Sequence, residues 1–95
     1  MTPMGLYTFV MDYAGGTYVG QVEAADLVEA KAKWAREIDL SLVAGLDESD
    51  RAELVSEVDA DSPAVLTGLR NAWCITASLS NGLALIHAIR TASPE

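Results

Sequence analysis

The chain has 95 residues, 51% of them hydrophobic and 21% charged, with fourteen acids against six bases for a formal net charge of −8. That balance describes one globular domain spanning residues 1–95 and able to close a single core, not a disordered chain. It excludes nucleic acid as a default partner and disfavours an anionic membrane surface, since both need concentrated positive charge.

The opening MTPMGLYTFV carries no basic residue before its apolar run and no small-residue cleavage site, so it is not read as a signal peptide. Its first residues, Met1 to Gly5, form a lead-in that frays, with Pro3 discouraging regular pairing. From Leu6 to Ala24 the sequence predicts a β-hairpin turning at Gly15-Gly16, because a glycine pair tolerates the positive φ angles of a tight turn. A two-residue loop there sets Tyr13 against Tyr18, Met11 against Gly20, Phe9 against Val22 and Tyr7 against Ala24. That makes an apolar face of large residues against small. A slip of one residue would bury Asp12 and Gln21 instead, so the face is strongly specified.

Asp26, three residues before Glu29, has capping-box spacing and opens a helical segment that extends with its successor to Val58. Leu27, Ala30, Trp34 and Ile38 form the buried stripe of the first helix. Glu29–Lys33 and Lys33–Glu37 are favourable i,i+4 pairs. The helix runs to about Asp39, Leu40, Leu42 and Val43 pack around its end, and Gly45 supplies the stop. Asp47 caps a second helix that buries Leu54, Val55 and Val58. Its outer face is acidic: Asp47, Glu48, Asp50, Glu53, Glu57, Asp59 and Asp61 stand against Arg51 alone. After the loop at Asp61-Ser62-Pro63, Val65-Leu66 and Leu69 are expected to tuck under the fold as a turn, a short strand or 3₁₀ helix.

A second hairpin spans Ala72 to Thr91 around Asn81-Gly82, the strongest short turn signal in the chain. Pairing outward sets Leu79 against Ala84, Ala77 against Ile86, Ile75 against Ala88 and Trp73 against Arg90. The tail, residues 92–95, is expected to be mobile. The element order ββααββ predicts an α+β two-layer sandwich: a four-stranded antiparallel sheet with both helices on one face.

No constellation of catalytic residues stands out. His87, the only histidine, falls across from Thr76 and diagonal to Cys74, the only cysteine. A Cys–His pair needs a third group to orient the imidazole, and this face offers only Thr, Ser and aliphatic residues. Zinc fails on ligand count. DESDRAE and DADSPAV lack the alternating oxygen ligands, glycine and terminal glutamate of a calcium loop. The glycines have no phosphate-loop spacing. No metal or cofactor is therefore expected. The alternative to a binding role is a small-molecule site or minor enzyme in a cleft near His87, with Cys74 or Tyr13 as further polar groups.

Two surfaces point instead to protein contact. The acidic helix face, through Glu48, Glu53 and Glu57, suits a basic protein partner. The sheet face away from the helices shows Val10, Val19, Leu85 and Ile89, more aliphatic surface than a small acidic protein leaves bare, which predicts self-association as a homodimer. A lone cysteine, with no possible intrachain disulfide, fits a cytoplasmic location. The expected function is a small, acidic, non-enzymatic interaction module.

The segment GGTYVGQVEAADLVEAKAKW resembles one in small uncharacterised bacterial proteins, where a GG-x-Y hairpin leads into an EA-containing helix with a Trp. It is also similar to the hairpin-then-helix part of HicB-like antitoxins. The Pro-x-x-x-Gly connection of that family is absent and no DNA-binding tail follows, so no functional residue carries over. What the resemblance implies is a bacterial binding module, immunity-like or antitoxin-like.

Overall fold

The computed structural model describes residues 4–91. The elements are β1 (Gly5–Tyr13), β2 (Gly16–Ala24), α1 (Leu27–Glu37), α2 (Arg51–Ala60), β3 (Ala64–Val65), β4 (Ala72–Leu79) and β5 (Gly82–Thr91), with 3₁₀ turns at Leu40–Leu42 and Glu48–Asp50. One antiparallel sheet runs in the order β2-β1-β5-β4-β3, so the two hairpins are zipped together through β1 and β5. The fold is α+β, but the expected four-stranded sheet in ββααββ order is wrong. A fifth strand, β3, intervenes, because Ala64 and Val65 pair with Cys74 and Trp73 and occupy the start of β4's outer edge. The frayed lead-in and mobile tail expected from the sequence fall largely on residues 1–3 and 92–95, outside the described residues; Gly5 is already in β1.

Both hairpins are shifted by two residues from the expected register. β1 and β2 meet around Ala14-Gly15, with Tyr13 opposite Gly16, Met11 opposite Tyr18, Phe9 opposite Gly20 and Tyr7 opposite Val22. Ala14 and Gly15 have φ of 49° and 83°, and a tight hairpin turn needs positive φ at both positions. An alanine thus does what Gly16 was expected to do. The shift leaves Phe9 facing a residue with no side chain, and the Trp34 indole fills that space, stacked on Phe9 at 5.2 Å between ring centroids. In the second hairpin Leu79 pairs with Gly82, Ala77 with Ala84, Ile75 with Ile86 and Trp73 with Ala88, so the turn is Ser80-Asn81. Gly82, at φ 148°, is the first residue of β5 instead of the turn's second. Arg90 lies opposite Tyr7 in β1, its guanidinium 5.9 Å from that ring's centroid, and not opposite Trp73.

Because each shift is by two, the faces survive. Tyr7, Phe9, Met11, Tyr13, Ile75, Ala77, Ile86 and Ala88 are buried on one face beneath Trp34, Leu54 and Val58. Helix α1 lies over β1 and β2, and α2 over β4. The Asp26 carboxylate accepts from the Glu29 N–H, while Glu29 reaches back to the Ala25 N–H, a capping box displaced by one residue. Glu29 and Lys33 therefore do not pair with each other. Helix α1 ends at Glu37, two residues early, with Ile38 already extended at ψ 135°. Gly45 is not its stop; at φ 89° it turns the later loop past the Tyr13 ring. Of the three residues expected around the helix end, Leu40 and Val43 are buried but Leu42 is 73% exposed. Val65 and Leu69 are likewise exposed and do not tuck under the fold.

The helices are antiparallel and each closes the other's C-terminus. Lys31 of α1, buried to 4% exposure, donates to the carbonyls of Val58 (2.8 Å), Asp59 (3.4 Å) and Asp61 (2.7 Å). Arg51 of α2 donates to the carbonyls of Ala35 (3.0 Å), Arg36 (2.8 Å) and Ile38 (2.8 Å), and its Nε and Nη2 also hold Glu48 at 2.6 Å. Helix C-termini carry unpaired carbonyls and partial negative charge, so a cation from the neighbour satisfies both.

Candidate functional site

The face of the sheet opposite the helices is built from rows that cross the strands. The central row is Val19, Val10, His87, Cys74 and Ala64; beside it run Thr17, Asp12, Leu85, Thr76 on one side and Gln21, Thr8, Ile89, Ala72 on the other. Val19 (68%), Leu83 (54%), Ile89 (41%) and Leu85 (38%) are its exposed aliphatics. Val10 and Leu6 are half-buried among them. Two polar bridges tie β2 to β1: Thr17 donates to Asp12 (2.7 Å) and Gln21 to Thr8 (2.9 Å). Val10, Val19, Leu85 and Ile89 are thus brought onto one continuous surface.

The alternative trio is not brought together. His87 pairs directly with Cys74, not with Thr76, but both look outward among Val10, Leu85 and Ile89. Tyr13 is buried on the opposite face. It lines a depression of about 310 Å³ at the hairpin tips, with Gly15, Leu83 and Leu85, which neither His87 nor Cys74 reaches. Among the described residues no group of three or more side chains is placed to hold a metal ion.

The acidic face of α2 has an intramolecular use that the sequence reading missed. The backbone groups of Thr76, Ser78 and Ser80 point away from β5, beyond the reach of two-residue β3. Asp61 accepts from the Thr76 N–H (3.3 Å), Glu57 from the Ser78 N–H (3.1 Å) and Glu53 from the Ser80 N–H (2.8 Å) and hydroxyl (2.8 Å). Four residues of helix rise about 6 Å and two residues of strand about 6.7 Å, so every fourth carboxylate meets every second amide. That commensurate spacing, acids at 53, 57 and 61 against hydroxyl residues at 76, 78 and 80, is the signal in the sequence. Glu48, the third acid assigned to a partner, is engaged by Arg51.

Four carboxyls, those of Asp39, Asp47, Glu48 and Glu53, have pKa values moved in one direction. Glu53 is held below the usual range by the Ser80 N–H and hydroxyl. Glu48 is lowered by its hydrogen bonds to Arg51. Asp39 and Asp47 are lowered by Ser41 and Ser49, whose hydroxyls and N–H groups both donate to them. Each acid therefore stays ionised in the state that makes the bond.

The other edge of the sheet is treated differently. In a two-residue hairpin the closing pair, here Tyr13 and Gly16, exchanges hydrogen bonds, and so does every second pair after it. Thr17, Val19, Gln21 and Glu23 therefore direct their backbone groups outward. Among the described residues only the Glu23 carbonyl is taken, by Lys33 Nζ at 2.9 Å. Along this edge lies a groove of about 420 Å³ between β2 and the end of α1, with Trp34, Ile38 and Leu42 among its walls.

No protein-family model, curated protein or solved structure matches the chain.

Proposed function

We propose that the protein is a binding module that works by protein contact and not by catalysis, through the sheet face that no helix covers. The observation that carries this reading is the set of exposed aliphatic side chains, Val19, Leu83, Leu85 and Ile89, standing together on that face. Scattered apolar groups are ordinary on a surface; several exposed on one uncovered sheet face are the kind of set that partners cover. A basic partner at α2 has less support, because Glu48, Glu53 and Glu57 already serve Arg51, Ser80 and Ser78.

The test is site-specific photo-crosslinking in the cells that make the protein. A photoreactive residue at position 85, where Leu85 is 38% exposed, is compared with one at Val28, which is more accessible on α1 at 69% exposure. The reading expects a discrete adduct from position 85 and none from position 28. No adduct at 85, or the same adducts from both, overturns it.

A further inference from the structure

We infer that β2 is the pairing edge for a second copy of this chain, joined antiparallel about a two-fold axis at Val19 to make one ten-stranded sheet. This deepens the contact-module reading and rests on it, by naming the partner at one border of the same surface.

Three observations lead there. First, the two edges are unequal. The β4 edge is occupied by β3 and then by the carboxylates of Asp61, Glu57 and Glu53. The β2 edge is nine residues long, and from Gly16 to Val22 it carries no charge and no proline. Open edges of that kind pair with another strand unless they are blunted. With one edge open and one shut, pairing closes after two copies instead of growing into a fibre.

Second, the open run is symmetric about Val19. The turn at Ala14-Gly15 bounds it on one side, and Lys33 on the Glu23 carbonyl bounds it on the other. Between those bounds the groups with no partner among the described residues are the N–H and C=O of Thr17, Val19 and Gln21. Antiparallel pairing centred on Val19 sets Val19 against its copy and Thr17 against Gln21 of the other copy, twice. Each pair exchanges two N–H···O bonds, and these use every free group of Thr17, Val19 and Gln21 on both edges, leaving only the Glu23 N–H, beside the carbonyl held by Lys33, to water. On the outer face the apolar row then runs His87, Val10, Val19 and back through the copy. On the helix side the two grooves meet across the axis, and Leu42, 73% exposed in one copy, faces the other's groove.

Third, the paired run itself carries no charge, the nearest acids on the helix side being Glu37 and Asp39 in the groove wall. From Gly16 to Val22 the edge is neutral, so nothing on the paired run selects a charged peptide, and the same neutral run of a second copy fits as it stands. The acids of α2 sit over β4, three strand spacings from β2 in the order β2-β1-β5-β4. That is about 14 Å, beyond the Debye length of about 8 Å at physiological salt.

Sedimentation velocity on the full chain, from micromolar to hundreds of micromolar, tests this. The wild type should move from 10.1 kDa to twice that mass and stop there. Val19→Pro removes an outward amide without touching the bonds to β1, and should stay monomeric throughout. Val19→Lys, which sets two ammonium groups against each other at the axis, should weaken the dimer at least tenfold. Leu85→Asp with Ile89→Asp, on the face but away from the edge, should leave it intact. Circular dichroism checks each fold; if Val19→Pro unfolds, Gln21→Pro and Val19→Lys decide. A monomeric wild type, or a dimer indifferent to Val19, overturns the inference. A dimer lost with Leu85 and Ile89 but kept with the Val19 variants also overturns it, while leaving the contact-module reading standing. Failure of that reading shows separately, in crosslinks at position 85.

Discussion

Replacing Lys31 with methionine tests whether the helix layer is held as described. Methionine keeps the length of the stem, so the packing along α1 changes little and no large cavity opens. What goes is the ammonium that donates to Val58, Asp59 and Asp61. The Val58 carbonyl is buried there, and stranding a buried acceptor costs about 1–3 kcal/mol. Loss of a cation at a helix C-terminus adds about 0.3–1 kcal/mol. Against this, methionine removes the cost of keeping a charge out of water, which can reach several kcal/mol. The ammonium recovers much of its hydration from three carbonyls, so the stranded acceptor decides, and the net loss should be about 1–3 kcal/mol. For a domain of this size 1 kcal/mol is worth about 4–8 °C, so Lys31→Met should lower Tm by roughly 5–20 °C. Calorimetry measures it directly. An unchanged or higher Tm would mean that water replaces the ammonium, or that burying the charge costs more than stranding the carbonyl, and the argument would fail.

Other consequences follow from the same geometry. Glu53→Ala with Glu57→Ala and Asp61→Ala uncovers the β4 edge from Thr76 to Ser80, and light scattering should show association beyond that of the parent; identical scattering would show the carboxylates do not guard the edge. Asp39, Asp47, Glu48 and Glu53 have folded pKa values below their unfolded ones, so the unfolded chain binds their protons first as pH falls. Their contribution is full above the unfolded values near pH 4 and is lost below. Urea midpoints should therefore drop on acidification through that range, less steeply in Glu53→Gln, and equal slopes would contradict the Ser80 bond. Ala14, at φ 49°, adopts a conformation costing an L-residue roughly 1–2 kcal/mol, part of which glycine returns as unfolded-state entropy. Ala14→Gly should raise stability by about 0.5–1 kcal/mol in urea titration, and a fall would show that the turn is not strained.

What the sequence made legible were the faces, because side chains alternate with period two and a shift of two residues leaves every one on its side. Register was not legible for the same reason. Gly15-Gly16 and Ala14-Gly15 give the same buried face, and what distinguishes them is Phe9, in place of Met11, lying opposite Gly20 and stacking on Trp34, fourteen residues beyond that glycine in the chain. The buried stripe of α2, Leu54 and Val58, could be read from spacing, but the purpose of its acids could not, since that depends on which strand lies beside the helix. Lys31 looks like one more surface lysine in AKAKW until the C-terminus of α2 is seen above it. The four aliphatic residues assigned to the outer face lie on it, whereas Glu48, Glu53 and Glu57 are joined to their own chain.

Amide hydrogen exchange, read residue by residue at low and high protein concentration, separates the two edges most directly. Thr76, Ser78 and Ser80 should be protected at both concentrations, because their partners are in the same chain. Thr17, Val19 and Gln21 should exchange freely when dilute and become protected together as the concentration rises. Open exchange at Thr17, Val19 and Gln21 under every condition, or at Thr76, Ser78 and Ser80 under any, would contradict a sheet with one guarded border and one that its own copy completes.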